Sequence, residues 1–328
     1  MNNVSGKSIL FFSPKFFNYE KEIKLAMEKL GATVVWADDR PSNSFTAKVL
    51  IRLNKNILKK MIQRYYDRVI GSFKGKQFDY VLFISPESLN RGILKKMKDE
   101  FKSSKFILYM WDSFENKQSV ELLDLFDSVL TFDSNDAKNY NIKLRPLFYI
   151  DTYKEKKSTK PLYDLLFIGT AHSDRYDFVQ HKIKPFFDGM NIKLYFFLSS
   201  RRLFWLKKLF DKDFRSIQFK DISFKPLSHL DNFDFINKSK IILDINHPRQ
   251  VGLTMRTIET LGAQRKLITT NANVINYDFY NEDNILVIDR KKPRIDRSFM
   301  ARPFKPSIDV VLTKYSIWGW IFDVFNVS

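Results

Sequence analysis

The chain has no cysteine among its 328 residues. Disulfides, thiolate zinc sites, iron–sulfur clusters and a cysteine nucleophile are therefore excluded. Histidine is scarce: His172, His181, His229 and His247 are scattered, and no His-Glu-x-x-His or comparable ligand spacing occurs. No apolar run approaches the roughly 20 residues that a membrane-crossing helix needs. The amino-terminal MNNVSGKSILFFSPK carries no charged leader, and its apolar stretch is only Ile9 to Phe12. That reads as a first β-strand and not as a signal peptide, so a cytoplasmic location is expected. Low-complexity sequence and short tandem repeats are also missing.

What remains is a soluble composition, 44% hydrophobic and 28% charged, with cores that should be rich in aromatics given 32 Phe and 14 Tyr. The length exceeds one ordinary core, so two domains are expected. Fifty-five Lys and Arg against 37 Asp and Glu leave a net charge of +18. Such an excess attracts polyanions: nucleic acid, anionic lipid headgroups or phosphorylated substrates. A lysine-rich solvated surface is the plainer alternative.

Short apolar strands alternate with helical patterns throughout, the signature of Rossmann-like doubly wound sheets. In the first half, strands are predicted at Ser8–Ser13, Thr33–Ala37, Tyr80–Ile84, Phe106–Met110 and Ser128–Phe132, with a helix at Glu20–Leu30 closed by Gly31. Residues 151–161 are charged, lack apolar periodicity and end in proline, which marks a linker. The alternation then restarts, with strands at Asp164–Gly169, Ile192–Leu198, Ile217–Lys220, Ile241–Ile245, Leu267–Thr270 and Ile285–Ile288. The expected layout is an N-terminal domain at 1–150, the linker at 151–161, a C-terminal domain at 162–305 and a carboxyl-terminal segment at 306–328.

The stretch DINHPRQVGLTMRTIETLGAQRKLITTN, residues 244–271, reads as strand, polar loop, helix and strand. Its loop falls at the carboxyl edge of a parallel sheet, where such folds bind ligands. A helix from about Thr254 to Gly262 would turn Met255, Ile258, Leu261 and Gly262 toward the sheet, with Gly262 suiting helix closure. Arg256 and Glu259, three apart, share another side. The helix start at Gly252 and Thr254 favours a phosphate, and Arg256 adds a charged donor. Glu259, one turn on, is an acceptor suited to vicinal ribose hydroxyls. An ordinary surface Arg–Glu pair is the alternative. Gly169, Thr170 and Arg175, with His172 and Asp174 between them, follow the first strand of this half. Gly169 would admit a ligand close to the backbone and Arg175 would meet a phosphate; an ordinary strand-to-helix turn capped by Ser173 or Asp174 is the alternative. His247 ends a strand at the same edge, as a ligand contact or as a structural histidine.

HPRQVGLTMRTIETLGAQRKLITTN with YDFYNEDNILVID resembles the donor-binding half of bacterial surface-polysaccharide glycosyltransferases of the GT-B fold. The likeness is greatest to lipopolysaccharide and capsule proteins related to group-1, spore-maturation-type transferases. It extends to YDLLFIGTAHSDRY, YMWDSFENK and FDSVLTFDSNDAKNYNIKLRPLFY, from about residue 80 to 290. The resemblance implies an α/β fold of two Rossmann-like domains facing each other across a cleft. It also implies a nucleotide-sugar donor held at the ribose by Glu259, no metal or other cofactor, and a final helix that returns to the first domain. Many group-1 retaining enzymes carry a second glutamate eight positions earlier. Here that position is Val251, so their retaining mechanism does not carry over. Removing Glu259 is expected to abolish donor binding with little change in thermal midpoint.

An inverting transferase needs a general base. Asp112, directly after a strand and beside Trp111, is the first choice; Glu87 and Asp133 are alternatives, and capping the next helix is the commoner role for an acid so placed. No Asp-x-Asp stands in a metal-binding context at a strand end. Three basic-aromatic stretches, Arg52–Ile70, Arg201–Phe210 and YSIWGWIFDVF at the carboxyl end, suit either an anionic membrane face bearing a lipid-linked acceptor or simple core packing. The expected function is glycosyl transfer to a bacterial surface glycan. The rivals are a nucleic-acid-binding protein, for which no recognition motif is present, and a GT-B-shaped sugar-nucleotide epimerase.

Overall fold

The computed structural model describes residues 3–44, 51, 55–116, 119–154, 160–171, 174–247 and 250–326. The chain divides into two compact units, residues 1–147 with 317–328, and residues 148–316.

The first unit is built on a parallel sheet in the order β2-β1-β3-β4-β5-β6. Its strands are β1 Ser8–Ser13, β2 Thr33–Asp38, β3 Tyr80–Ile84, β4 Lys105–Met110, β5 Ser128–Thr131 and β6 Lys143–Leu144. β1, β3 and β4 read as continuous apolar runs because parallel strands are covered on both faces; Leu10, Phe12, Val81, Phe83, Phe106 and Leu108 are fully buried in one cluster. The helix Tyr19–Lys29 closes at Gly31, which takes the left-handed φ of 88°. The edge strand β6 escapes the sequence pattern because two residues, one charged, carry no periodicity.

The second unit repeats the plan in the order β12-β11-β10-β7-β8-β9. Here β7 is Tyr163–Thr170, β8 Ile192–Phe197, β9 Ile222–Ser223, β10 Ser239–Asp244, β11 Lys266–Thr269 and β12 Ile285–Val287. β7 lies between β10 and β8, with Leu166 opposite Ile242 and Thr170 opposite Phe197.

Three sequence expectations are corrected. No strand forms at Ile217–Lys220: Ile217 is buried in the core while Phe219 is exposed at the start of a 3-10 turn, Phe219–Asp221. Lys208 Nζ fixes this segment by donating to the carbonyls of Arg215 and Ile217. The linker assignment fails at its start, where Asp151–Tyr153 is a 3-10 turn whose tyrosine is fully buried in the second unit. Residues 155–159 of that linker lie outside the described residues. The segment 306–328 is also divided. Asp309–Tyr315 is a helix of the second unit, whereas Ile317–Val324 belongs to the first. There Trp320 meets Tyr109 edge-on at 5.0 Å, Phe325 meets Tyr80, and Arg145 pairs with Asp323 at 2.7 Å.

Candidate functional site

In the second unit, the carboxyl ends of β7 and β10 and the start of the helix Met255–Gly262 come together through one buried carboxylate. Asp244, the last residue of β10, accepts from the hydroxyls of Thr254 at 2.7 Å and Thr257 at 2.8 Å. Thr254 is the N-cap, its hydroxyl also accepting from the Thr257 amide. A carboxylate at a helix start is favoured by the positive dipole end, so the sequence IILD running into a Thr-x-x-Thr start locks strand to helix. Arg175 lies beside this group and donates to the Thr170 hydroxyl at 3.3 Å. Burial pulls the Arg175 pKa below its ordinary value, and the Asp244 charge opposes that shift. Arg290, just beyond β12, donates to the Asn246 carbonyl at 2.7 Å and clamps Asp174 with two guanidinium nitrogens. That clamp holds the Asp174 carboxyl below the usual range. Two arginines and a capped helix start thus share one edge of the sheet.

The loop between β10 and the helix is pinned from several directions. Asn246 accepts from the Thr270 hydroxyl at 2.7 Å and donates to the Gln250 carbonyl at 2.9 Å. The Gly252 carbonyl accepts from Gln250 Nε2 and Asn271 Nδ2. His247 is half-buried, its carbonyl taking the Gln250 amide. Arg249, His172 and Ser173 lie outside the described residues.

Arg256 and Glu259 do not follow either sequence reading. They form neither a surface pair nor an open ligand-binding pair. Arg256 bonds Glu259 at 2.8 Å, with side chains 13% and 5% exposed, and its second terminal nitrogen donates to Asn232 at 3.1 Å. Asn232 in turn donates to the Tyr153 hydroxyl, which also contacts His229. Tyr153 has its pKa raised, first by burial and then by the Glu259 charge. The pair is the centre of a buried network joining three segments.

Two glycine readings change as well. A Cβ on Gly169 would stand 2.7 Å from the Phe167 ring, so this glycine makes room for a core aromatic. A Cβ on Gly262 would stand 2.6 Å from the Tyr149 ring. Helix closure falls instead to Gln264, at φ 52°, whose side chain donates to the Leu261 carbonyl and accepts from the Ser307 amide.

In the first unit the three acids separate. Asp133 caps the helix Ser134–Asn139 by accepting from the Asn135 and Asp136 amides. Glu87 is buried against Arg40, 3.6 Å away. Asp112 is half-buried on the loop after β4, between Trp111, whose amide donates to Ser85, and Phe114, whose amide donates to Asp136. Phe114 borders a cavity of about 720 Å³ lined also by Lys59, Gln63, Ser88, Asn90 and Arg91. Among the described residues, no group of three or more His, Asp or Glu could hold a metal ion, and no helix is long and apolar enough to cross a membrane.

No family model matches the chain, and no curated protein matches it in sequence. Solved structures match it along nearly its whole length. Anabaena HepE, solved with UDP and glucose, superposes with a TM-score of 0.61 at 8% identity, covering 98% of this chain and 100% of that one. The fold is GT-B. A sucrose-phosphate synthase from Thermosynechococcus elongatus matches the same GT-B plan with a TM-score of 0.56 at 8% identity, over 98% of this chain and 95% of its own. The catalytic domain of Arabidopsis thaliana starch synthase IV, bound to ADP and acarbose, gives 0.52 at 6% identity, over 99% and 96%. Arg290, Asp244, Asn232 and Tyr153 were not singled out from sequence. Only Asp244, a lone acid ending the apolar run IIL, left a local signal there.

Proposed function

We propose that this GT-B protein is a glycosyltransferase that moves a sugar from a nucleotide-sugar donor to a bacterial surface glycan, such as lipopolysaccharide, O-antigen or capsule. The acceptor would be lipid-linked and met at the inner face of the cytoplasmic membrane. The observation that carries the reading is the convergence of Arg175, Arg290 and the Thr254-capped helix start at the carboxyl edge of the second sheet. Those groups would balance the charge that builds on a departing diphosphate, and we propose transfer without a metal ion. Gly252 and His247 frame the loop beside them, and Thr170 steers Arg175. Arg256 is expected to support the site through Glu259, not to touch phosphate directly. Glu259 remains our choice for the ribose, reached only if the Arg256 pair opens on that side.

In the reaction, the acceptor hydroxyl oxygen attacks the anomeric carbon and the bond to the diphosphate oxygen breaks. The hydroxyl proton passes to a carboxylate, for which we propose Asp112, on the loop that borders the cavity of the first unit. Support for Asp112 is by contrast: Asp133 is a helix cap and Glu87 is held by Arg40.

The test is a thermal-shift series with UDP, GDP, TDP, CMP and ADP. At about a hundred times its dissociation constant, the right nucleotide stabilises by about 2.7 kcal/mol. Arg290→Ala should weaken that nucleotide about tenfold or more. If no nucleotide raises the midpoint, or if labelled donor yields an epimerised sugar nucleotide and no transfer, the proposal fails.

A further inference from the structure

The three basic-aromatic stretches meet different fates. In the helix Lys59–Ser72, Ile62, Tyr66 and Ile70 are buried, and Leu53 lies outside the described residues. At the carboxyl end Trp320 is fully buried. The helix Arg201–Phe210 does the reverse. Trp205, Leu206, Leu209 and Phe210 are each between 56% and 77% exposed. With Arg202 they fall at i, i+3, i+4, i+7 and i+8, a single stripe along the helix. Phe219 extends the stripe, its ring stacked on Trp205 at 5.9 Å and 18°.

The lysines of the same helix are turned inward. Lys207 pairs with Asp211 and lies over the Phe214 ring, while Lys208 holds the carbonyls of Arg215 and Ile217. Phe204 anchors the helix in the core, with Leu203 packed half-buried against the same cluster. A helix oriented by water alone would expose its lysines and bury its tryptophan. Monomeric proteins rarely leave such a contiguous apolar patch without a partner.

The rim identifies the partner. Arg201, Arg202, Lys212, Arg215 and Lys220 are exposed around the stripe. Residues 201–220 hold seven Lys or Arg against two Asp, a local charge of +5 (7 − 2). A second copy of the chain docking here would set +5 against +5. An anionic lipid surface instead takes the apolar ridge among its acyl chains and the basic rim among its headgroups, each rim cation adding to the attraction. We propose that the 201–210 helix, with Phe219, is a docking surface for anionic membrane. The assignment comes from the second unit alone and does not depend on the transferase reading.

Full-length protein is sedimented with phosphatidylcholine vesicles, with and without phosphatidylglycerol, in the absence of nucleotide. Binding should require phosphatidylglycerol and weaken steeply as salt rises from about 0.1 M to 1 M. The double variant W205S/F210S should lose about tenfold or more of that partitioning, with only a small fall in thermal midpoint because both side chains are more than half exposed and Trp205 loses its contacts with Phe204 and Phe219. R201A/R202A should lose the salt-sensitive part. No binding by the native chain, or binding that W205S/F210S leaves intact, overturns the proposal. So does concentration-dependent self-association that W205S/F210S abolishes without any vesicle binding, which would give the face to a second copy. The nucleotide series above is read on W205S/F210S as well, so a failed donor site and a failed membrane face give different results.

Discussion

Removing the Glu259 carboxylate should destabilise the second unit, contrary to the sequence expectation of an unchanged midpoint. Glu259→Ala leaves the Arg256 guanidinium, only 13% exposed, without its ion-pair partner. Breaking a buried pair from one side costs about 3–5 kcal/mol. Asn232 still accepts from Arg256, which places the expected loss near the lower figure. For a unit of this size each kcal/mol moves the midpoint about 2–4 °C, so a fall of roughly 6–12 °C is expected. Glu259→Gln keeps an acceptor for Arg256 and should lose about half as much or less. Arg256→Met with Glu259→Leu, which removes both charges, should recover most of the stability. Scanning calorimetry of the four proteins decides this. If Glu259→Ala melts within about 2 °C of the native chain, the pair contributes no net stability and the network reading is wrong. Nucleotide affinity must then be measured well below the lowered midpoint. There, undiminished binding by folded Glu259→Ala would remove the ribose assignment.

Gly262→Ala should cost about 1–3 kcal/mol, because the new methyl meets the Tyr149 ring and an overpacked core must shift; urea unfolding reads it, and an unchanged midpoint refutes the close approach. Arg290 depresses the Asp174 carboxyl, so the clamp is intact above the ordinary carboxylate value and is lost as pH falls through the lowered one. Carboxyl-carbon NMR should therefore show Asp174 titrating below about 3.9, and a midpoint at or above that figure argues against the clamp. Asp112→Asn should cut transfer about 10²–10⁴-fold while leaving nucleotide-induced stabilisation in place; full activity in a product assay would exclude Asp112 as the base.

Much of the fold is legible because covered parallel strands write themselves as apolar runs. Ile241–Leu243 and Leu82–Ile84 need no context to be recognised. The helix after residue 254 is equally plain, since Thr254 supplies the cap and Ile258 the buried face. The fate of Arg256 and Glu259 is not legible. Spacing of three residues is the same for a surface pair, a ligand-binding pair and a buried pair. What decides between them is Asn232 and Tyr153, which reach the pair from distant segments. Ile217–Lys220 fails for a related reason. Alternation suggests a strand, yet Lys208 caps the segment as a turn from a neighbouring helix. Likewise the pattern of Arg201–Phe210 reveals an amphipathic helix and not which way it faces.

The first unit draws Ile317–Val324 from beyond the whole of the second. During synthesis its sheet is translated early, but the surface around Tyr109 and Tyr80 stays bare until Trp320 and Phe325 leave the ribosome. At about 5–20 residues per second that wait, from the end of β6 at Leu144 to Phe325, is roughly 9–36 s. Over that interval the second unit is itself being translated, so the first unit's sheet stands without its last helix until the chain is nearly finished.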